Sequence, residues 1–167
     1  MSSMIGHHAQ ALQIAAWAPT HGASAPVRTL AARIINSQRD EIETMQRWLR
    51  DRQQPVPELR PSGMPMPTGA AHGHSDHEML MPGMLTAAQK TQLDQARGAE
   101  FDRLFLTFMI QHHRGAVSMV NDLFSSYGAG QDETVFKFAS DVNVDQITEI
   151  ERMEGMLIDL MFENPSP

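Results

Sequence analysis

Met109-Ile-Gln-His-His-Arg-Gly-Ala116 repeats, with its histidines in place, a stretch near the start of the chain, Met4-Ile-Gly-His-His-Ala-Gln-Ala11. A second pair follows the first. Gln38-Arg-Asp-Glu-Ile-Glu-Thr-Met45 is matched by Gln146-Ile-Thr-Glu-Ile-Glu-Arg-Met153, with five identities at one register. The offsets are 105 and 108 residues, so two segments recur in the same order at nearly one spacing. That pattern points to an internal duplication. Repeated apolar residues would serve packing alone. Repeated His, Gln, Glu and Met side chains point further, to a built site.

Around these segments apolar residues recur at helical spacing. A first helix is expected from about Ser3 to Trp17, stopping before Pro19. The second opens after Ser24, carries Pro26 in its first turn and runs to about Arg50. The third opens at Thr86 with a Thr-x-x-Gln89 capping box and continues to about Ser126, bending at Gly98. Tyr127-Gly-Ala-Gly130 is a turn, and a fourth helix runs from near Asp132 to about Phe162. No stretch alternates as a strand would. Pro55, Pro57, Pro61, Pro65, Pro67 and Pro82 mark a linker. The expected organisation is one domain: a first hairpin over 1–51, a Met/His/Pro-rich linker over 52–85 and a second hairpin over 86–167. Two duplicated αα-hairpins with a long crossover pack most simply as an all-α four-helix bundle.

The polar residues fall on the apolar seams. In the fourth helix Val135, Val142 and Met156 form one line, with Glu149 completing it; Ala139, Met153 and Leu160 form the other, completed by Gln146. The second helix repeats this, with Ile34, Glu41 and Trp48 on one line and Ala31, Gln38 and Met45 on the other. Glu43 and Glu151 lie off the seam and are expected in solvent. In the third helix His112 and Met119 continue a stripe begun by Phe101, Phe105 and Phe108, and His113 flanks it. His7 and His8 hold the matching places in the first helix. An unpaired buried carboxylate costs several kcal/mol, so Glu41 and Glu149 need a cation, a proton or a metal.

Composition narrows the function. A net charge of −7 with no Lys/Arg cluster argues against a nucleic-acid surface. No run of apolar residues is long enough to span a membrane. The absence of cysteine excludes disulfides and thiolate ligands. The chain carries 13 Met and 8 His, and five Met and three His crowd into residues 61–85. These are Met64, Met66, His72, His74, His77, Met79, Met81 and Met84. Their M-x-M and H-x-H spacing lets one segment offer several soft donors to an ion; the alternative is a spacer whose methionines pack on the bundle. No signal peptide is visible. The second half has a helical lead-in, Ala99 to Phe108, that the first half lacks. This suggests a first helix that has lost its beginning, as removal of an export signal would leave it. It also suggests a groove that a second copy would cover in a homodimer.

Two chemistries fit the seam residues. His7, His8, His112 and His113 with Glu41 and Glu149 could close a metal-free network, with Gln38 and Gln146 finishing the hydrogen bonds. Alternatively the histidines bind metal, the glutamates act as ligands or orient the imidazoles, and Met45, Met119 and Met153 line the site. His with Met favours copper, particularly Cu(I); His with Glu favours zinc, iron, manganese or Cu(II). Di-iron bundles usually place Glu-x-x-His on two helices, and the unit here is Gln-x-x-Glu. An oxygen-activating di-iron site is therefore disfavoured.

At these residues the chain resembles the bacterial domain-of-unknown-function family 305. The carrying features are Met109-Ile-Gln-His-His-Arg-Gly-Ala-Val-Ser-Met119, the preceding Phe101-Asp-Arg-Leu-Phe105, Met81-Pro-Gly-Met84-Leu, and Gln-x-x-Glu-Ile-x-x-Met in both halves, closed in the first by Trp48-Leu49. The resemblance covers essentially the whole chain. It implies a ferritin-like four-helix bundle, export to the periplasm or outside the cell, and, as in some members, copper binding and tolerance. The expected function is therefore a non-enzymatic, exported copper-binding protein. A metal-dependent oxidoreductase of ferritin-like type and a metal-free structural or interaction bundle are the alternatives.

Overall fold

Five helices account for most of the chain: α1 (Ser2–Ala15), α2 (Ala25–Asp51), α3 (Ala87–Gln95), α4 (Gly98–Ser125) and α5 (Glu133–Glu163). The structure, a computed structural model, describes residues 1–57, 59, 80–128 and 130–163, and no strand occurs among them. The linker residues Met64, Met66, His72, His74, His77 and Met79 lie outside the described residues.

The single third helix expected from Thr86 to Ser126 is in fact two. Thr86 caps α3 through the capping box with Gln89, as its sequence requires. Ala96 and Arg97 are then extended, and Gly98 takes φ +58°, a left-handed conformation that glycine reaches without a Cβ clash. The Gly98 N–H donates to the His21 carbonyl at 3.0 Å, so the α1–α2 turn holds the break. Gly98 is a stop, not a bend.

α1 packs on α2 and α4 on α5, α1 runs against α4, and α3 lies on α4. The duplication thus becomes a pseudo-two-fold bundle with α1 and α4 beside the axis. The larger core cluster includes Ile14, Leu30, Ile34, Phe101, Phe105 and Met153. Smaller clusters around Ile5, Ile42, Met45 and Leu49, and around Val120, Ala139 and Val142, close the other end. Each fully buried Val, Leu, Ile, Phe or Met side chain among them contributes about 1.5–3 kcal/mol.

Two carboxylates of the second hairpin tie it to the first. Buried Asp102 on α4 accepts the Ser24 N–H at the entry to α2, at 3.1 and 3.2 Å. Asp132 accepts the Val135 N–H at 3.0 Å at the start of α5 and takes an Arg52 hydrogen bond at 2.8 Å from the end of α2. The Val135 amide, with Arg52, holds the Asp132 carboxyl below the usual carboxylate range. No helix among the described residues is long and apolar enough to cross a membrane.

The described end of the crossover, Met81 to Leu85, docks on the α1–α4 seam. The Gln10 carboxamide makes both available bonds to Leu85, accepting its N–H at 2.7 Å and donating to its carbonyl at 3.1 Å. Gln111 donates to the Gly83 carbonyl at 3.2 Å. A Cβ on Gly115 would lie 2.0 Å from the Pro82 carbonyl oxygen, so only glycine lets the turn approach so closely.

Candidate functional site

Adjacent histidines on a helix point about 100° apart, and the structure uses that divergence. In each pair one ring faces the pseudo-two-fold axis and the other faces its own hairpin partner. His7 and His112 meet across the axis with ring centroids 3.9 Å apart at an interplanar angle of 38°. His8 turns to Glu41 on α2 and donates from Nε2 to its carboxylate. His113 turns to Glu149 on α5 and does the same at 2.7 Å. All four imidazoles are fully buried.

The hydrogen bonds fix the tautomer logic. His7 Nε2 lies 2.9 Å from the Pro82 carbonyl, and His112 Nε2 lies 3.0 Å from the His7 carbonyl. Carbonyl and carboxylate oxygens only accept, so Nε2 carries the hydrogen in every ring. Nδ1 of all four rings is buried without a protein partner. Burial pushes His7 down to about 4, against the raising pull of its hydrogen bond to Pro82, and charge on His8 and His113 adds to the push. Burial, then the neighbouring histidines, hold His112 well below the ordinary histidine range. At neutral pH both rings are therefore neutral, and each presents a shielded Nδ1 lone pair.

Gln38 and Gln146 are buried as their seam positions require, each one turn before its glutamate. Both carboxamide atoms of Gln38, and the oxygen of Gln146, have no protein partner. The expected amide completion of the network is thus not made by protein groups. Glu43 and Glu151 are exposed, as expected. Asp145, which sequence reasoning missed, sits over the α2–α5 side: partial burial, then the carboxylates of Glu41, Glu149 and Asp141, raise its carboxyl above the usual value. Adjacency to Gln146 was the available signal, but only the cross-helix approach to Glu41 gives it meaning.

The methionines divide. Met45 and Met119 line a cavity of about 310 Å³ together with Met1 and Met4. Met153 packs instead in the larger apolar cluster with Phe101 and Phe105, and the structure does not bring it to the cavity. Met81 and Met84 flank the docked turn. Pro82 was also missed: nothing in its sequence context shows that its carbonyl would reach a histidine 75 residues away. Among the described residues, no three His, Asp or Glu side chains converge as a ready ligand set. The arrangement presents one neutral, sheltered pair, His7 and His112, flanked by two buried imidazoles that carboxylates orient.

A family model described as a domain of unknown function, DUF305, matches residues 1–157. Among solved structures, the chain is 31% identical to a DUF305 fragment from Deinococcus radiodurans, covering 92% of this chain and 89% of that one, with a TM-score of 0.73. It is 26% identical to a DUF305 protein from Streptomyces coelicolor described as secreted, covering 95% and 90%, with a TM-score of 0.74. It is 28% identical to CopM in its Cu(II)-bound form, covering 95% and 93%, with a TM-score of 0.68. No curated protein matches.

Proposed function

The chain belongs to the DUF305 family, and from that premise we propose that it is an extracytoplasmic copper-binding protein that holds the metal on its buried imidazoles. The observation that carries this reading is the facing pair His7 and His112: two neutral rings, fully buried, each with a lone pair on Nδ1 that no protein group satisfies. A neutral imidazole is a metal ligand without proton release, and a buried unsatisfied acceptor is a standing cost that a bound ion removes. Glu41 and Glu149 hold His8 and His113 in place, the role that carboxylates commonly play behind ligating histidines. Imidazole suits copper, zinc and iron alike, so the choice of copper rests on the relatives. The likeness to CopM, a copper-bound protein over most of its length, supports the same choice. Binding is preferred to catalysis because all four rings are sealed from solvent, leaving a substrate no approach to them.

Titration of the metal-free chain with Cu(I) and Cu(II) against a chromogenic chelator, with Zn(II) alongside, tests the reading. Tight copper binding that falls by about one ion per chain in His7→Gln/His112→Gln is expected. Unchanged copper stoichiometry in that folded variant would refute it.

A further inference from the structure

All four imidazoles are sealed, so an ion that binds them has to be let in. Most of what covers them is helix. α1 and α4 are tied into the apolar clusters at both ends of the bundle, and moving either one opens the core. The turn Met81–Met84 is held differently. It closes on itself: the Met84 N–H donates to the Met81 carbonyl at 3.1 Å, and Pro82 followed by Gly83 at φ +75° is the pair a type II turn takes. Pro82 is exposed, yet its carbonyl accepts from His7 Nε2 at 2.9 Å. One residue therefore stands between solvent and that ring. Gly83 meets the backbone at Gly115 with no side chain between them, so lifting the turn withdraws nothing from a packed core. Buried Leu85 anchors the downstream end. What holds the turn down is polar: the His7 bond to Pro82, the Gln111 bond to Gly83 and, behind them, the two Gln10 bonds to Leu85. Each such bond is worth little net once water can replace it. Opening a short segment of this kind costs far less than unfolding the bundle.

We propose that this turn is the gate to the facing histidines: an ion enters and leaves while Met81–Met84 is lifted off the α1–α4 seam, and the turn then closes over it. This role presupposes that the imidazoles hold the ion. A gate sets rates and not equilibria. Loosening the turn should speed capture and release alike and leave the dissociation constant where it was.

The test compares the full metal-free chain with Gln10→Ala, which strips Leu85 of both its side-chain bonds. Motion of the turn is followed by NMR relaxation dispersion at the Gly83 amide. Access is followed by carbethoxylation of each histidine with diethyl pyrocarbonate, read by mass spectrometry, and by stopped-flow uptake of Cu(II) and its release to excess chelator. Labelling of His7 and His112, copper uptake and copper release should all quicken roughly tenfold in the variant. His21, buried at the α1–α2 turn and bonded to Asp94, is the control and should label as slowly as before. A turn that moves more while His7 labels no faster overturns the gate. So does labelling that reaches His8 and His113 first, which would put the entrance beside Glu41 and Glu149. A dissociation constant that weakens by the same factor as release quickens also overturns it, since the turn would then shape the site instead of guarding it. The label needs no metal, so the two readings fail separately. Labelling that follows the turn without copper uptake keeps the gate and removes the copper; copper uptake that ignores the turn does the reverse. Should Gln10→Ala unfold, Gln111→Ala, at a half-buried position, should quicken labelling of His7 several-fold, and equal rates reject the gate.

Discussion

Glu149 and His113 need each other more than either needs its surroundings. The imidazole is fully buried, and its Nε2–H has the Glu149 carboxylate as its partner at 2.7 Å. Glu149→Ala leaves that donor unsatisfied and should cost roughly 1–3 kcal/mol in urea unfolding of the metal-free protein. His7 and His112 make the fold acid-labile by a different route. Their folded pKa values lie below the unfolded value of 6.5, His7 at about 4. Between those values the unfolded chain binds more protons than the folded one, so stability rises with pH and is lost as pH falls from about 6.5 towards 4. For His7 alone the loss is on the order of 3 kcal/mol, and thermal melts across that window should show it. His7→Gln should flatten the dependence. Burial of these residues was legible in the sequence, because each occupies a position where its helical neighbours are apolar. Which nitrogen faces what was not legible, since that depends on a carbonyl contributed by the crossover.

At the scale of single elements, α4 shows what periodicity reveals and what it hides. The stripe from Phe101 to His112 fixes its buried face, and that face is observed. The break before it differs from the bend expected at Gly98: the left-handed conformation of that glycine and its bond to His21 end one helix before the next begins. Gly115 carries the sharpest prediction for this element. A methyl group there would strike the Pro82 carbonyl, so Gly115→Ala should displace the turn, lower the melting temperature and speed amide exchange at Leu85. Equal exchange at Leu85 in variant and parent would contradict the docking described. On the α2–α5 side, Asp145 opposes Glu41 and Glu149. A carboxyl whose folded pKa is raised weakens the fold once it ionises. Asp145→Asn should therefore raise the melting temperature at neutral pH and leave it unchanged in acid, where the carboxyl is already protonated.

Across the whole molecule, the duplication read from the sequence becomes an approximate two-fold bundle, and the facing histidines lie where the axis runs between α1 and α4. The seam glutamines and glutamates, the four histidines and the pairing of hairpins all follow from repeat spacing. The division of the methionines does not: Met45 and Met153 hold matching places in the repeat and both are buried, yet Met45 packs in a small cluster that borders a cavity and Met153 in the larger core. Metal should register globally. Copper at a hundredfold excess over its dissociation constant should add about 2.7 kcal/mol to unfolding, visible as a rise in melting temperature that His7→Gln/His112→Gln reduces. The docked turn carries one more consequence. The repeat reads Gly6-His-His-Ala-Gln10 in one copy and Gln111-His-His-Arg-Gly115 in the other, so glycine and glutamine have traded places. Gln10 and Gln111 grip the turn from either side, and Gly115 is the hollow that receives it. Two identical hairpins would offer either two hollows or none. The copies have become lock and latch for one strap, and neither half can stand in for its twin.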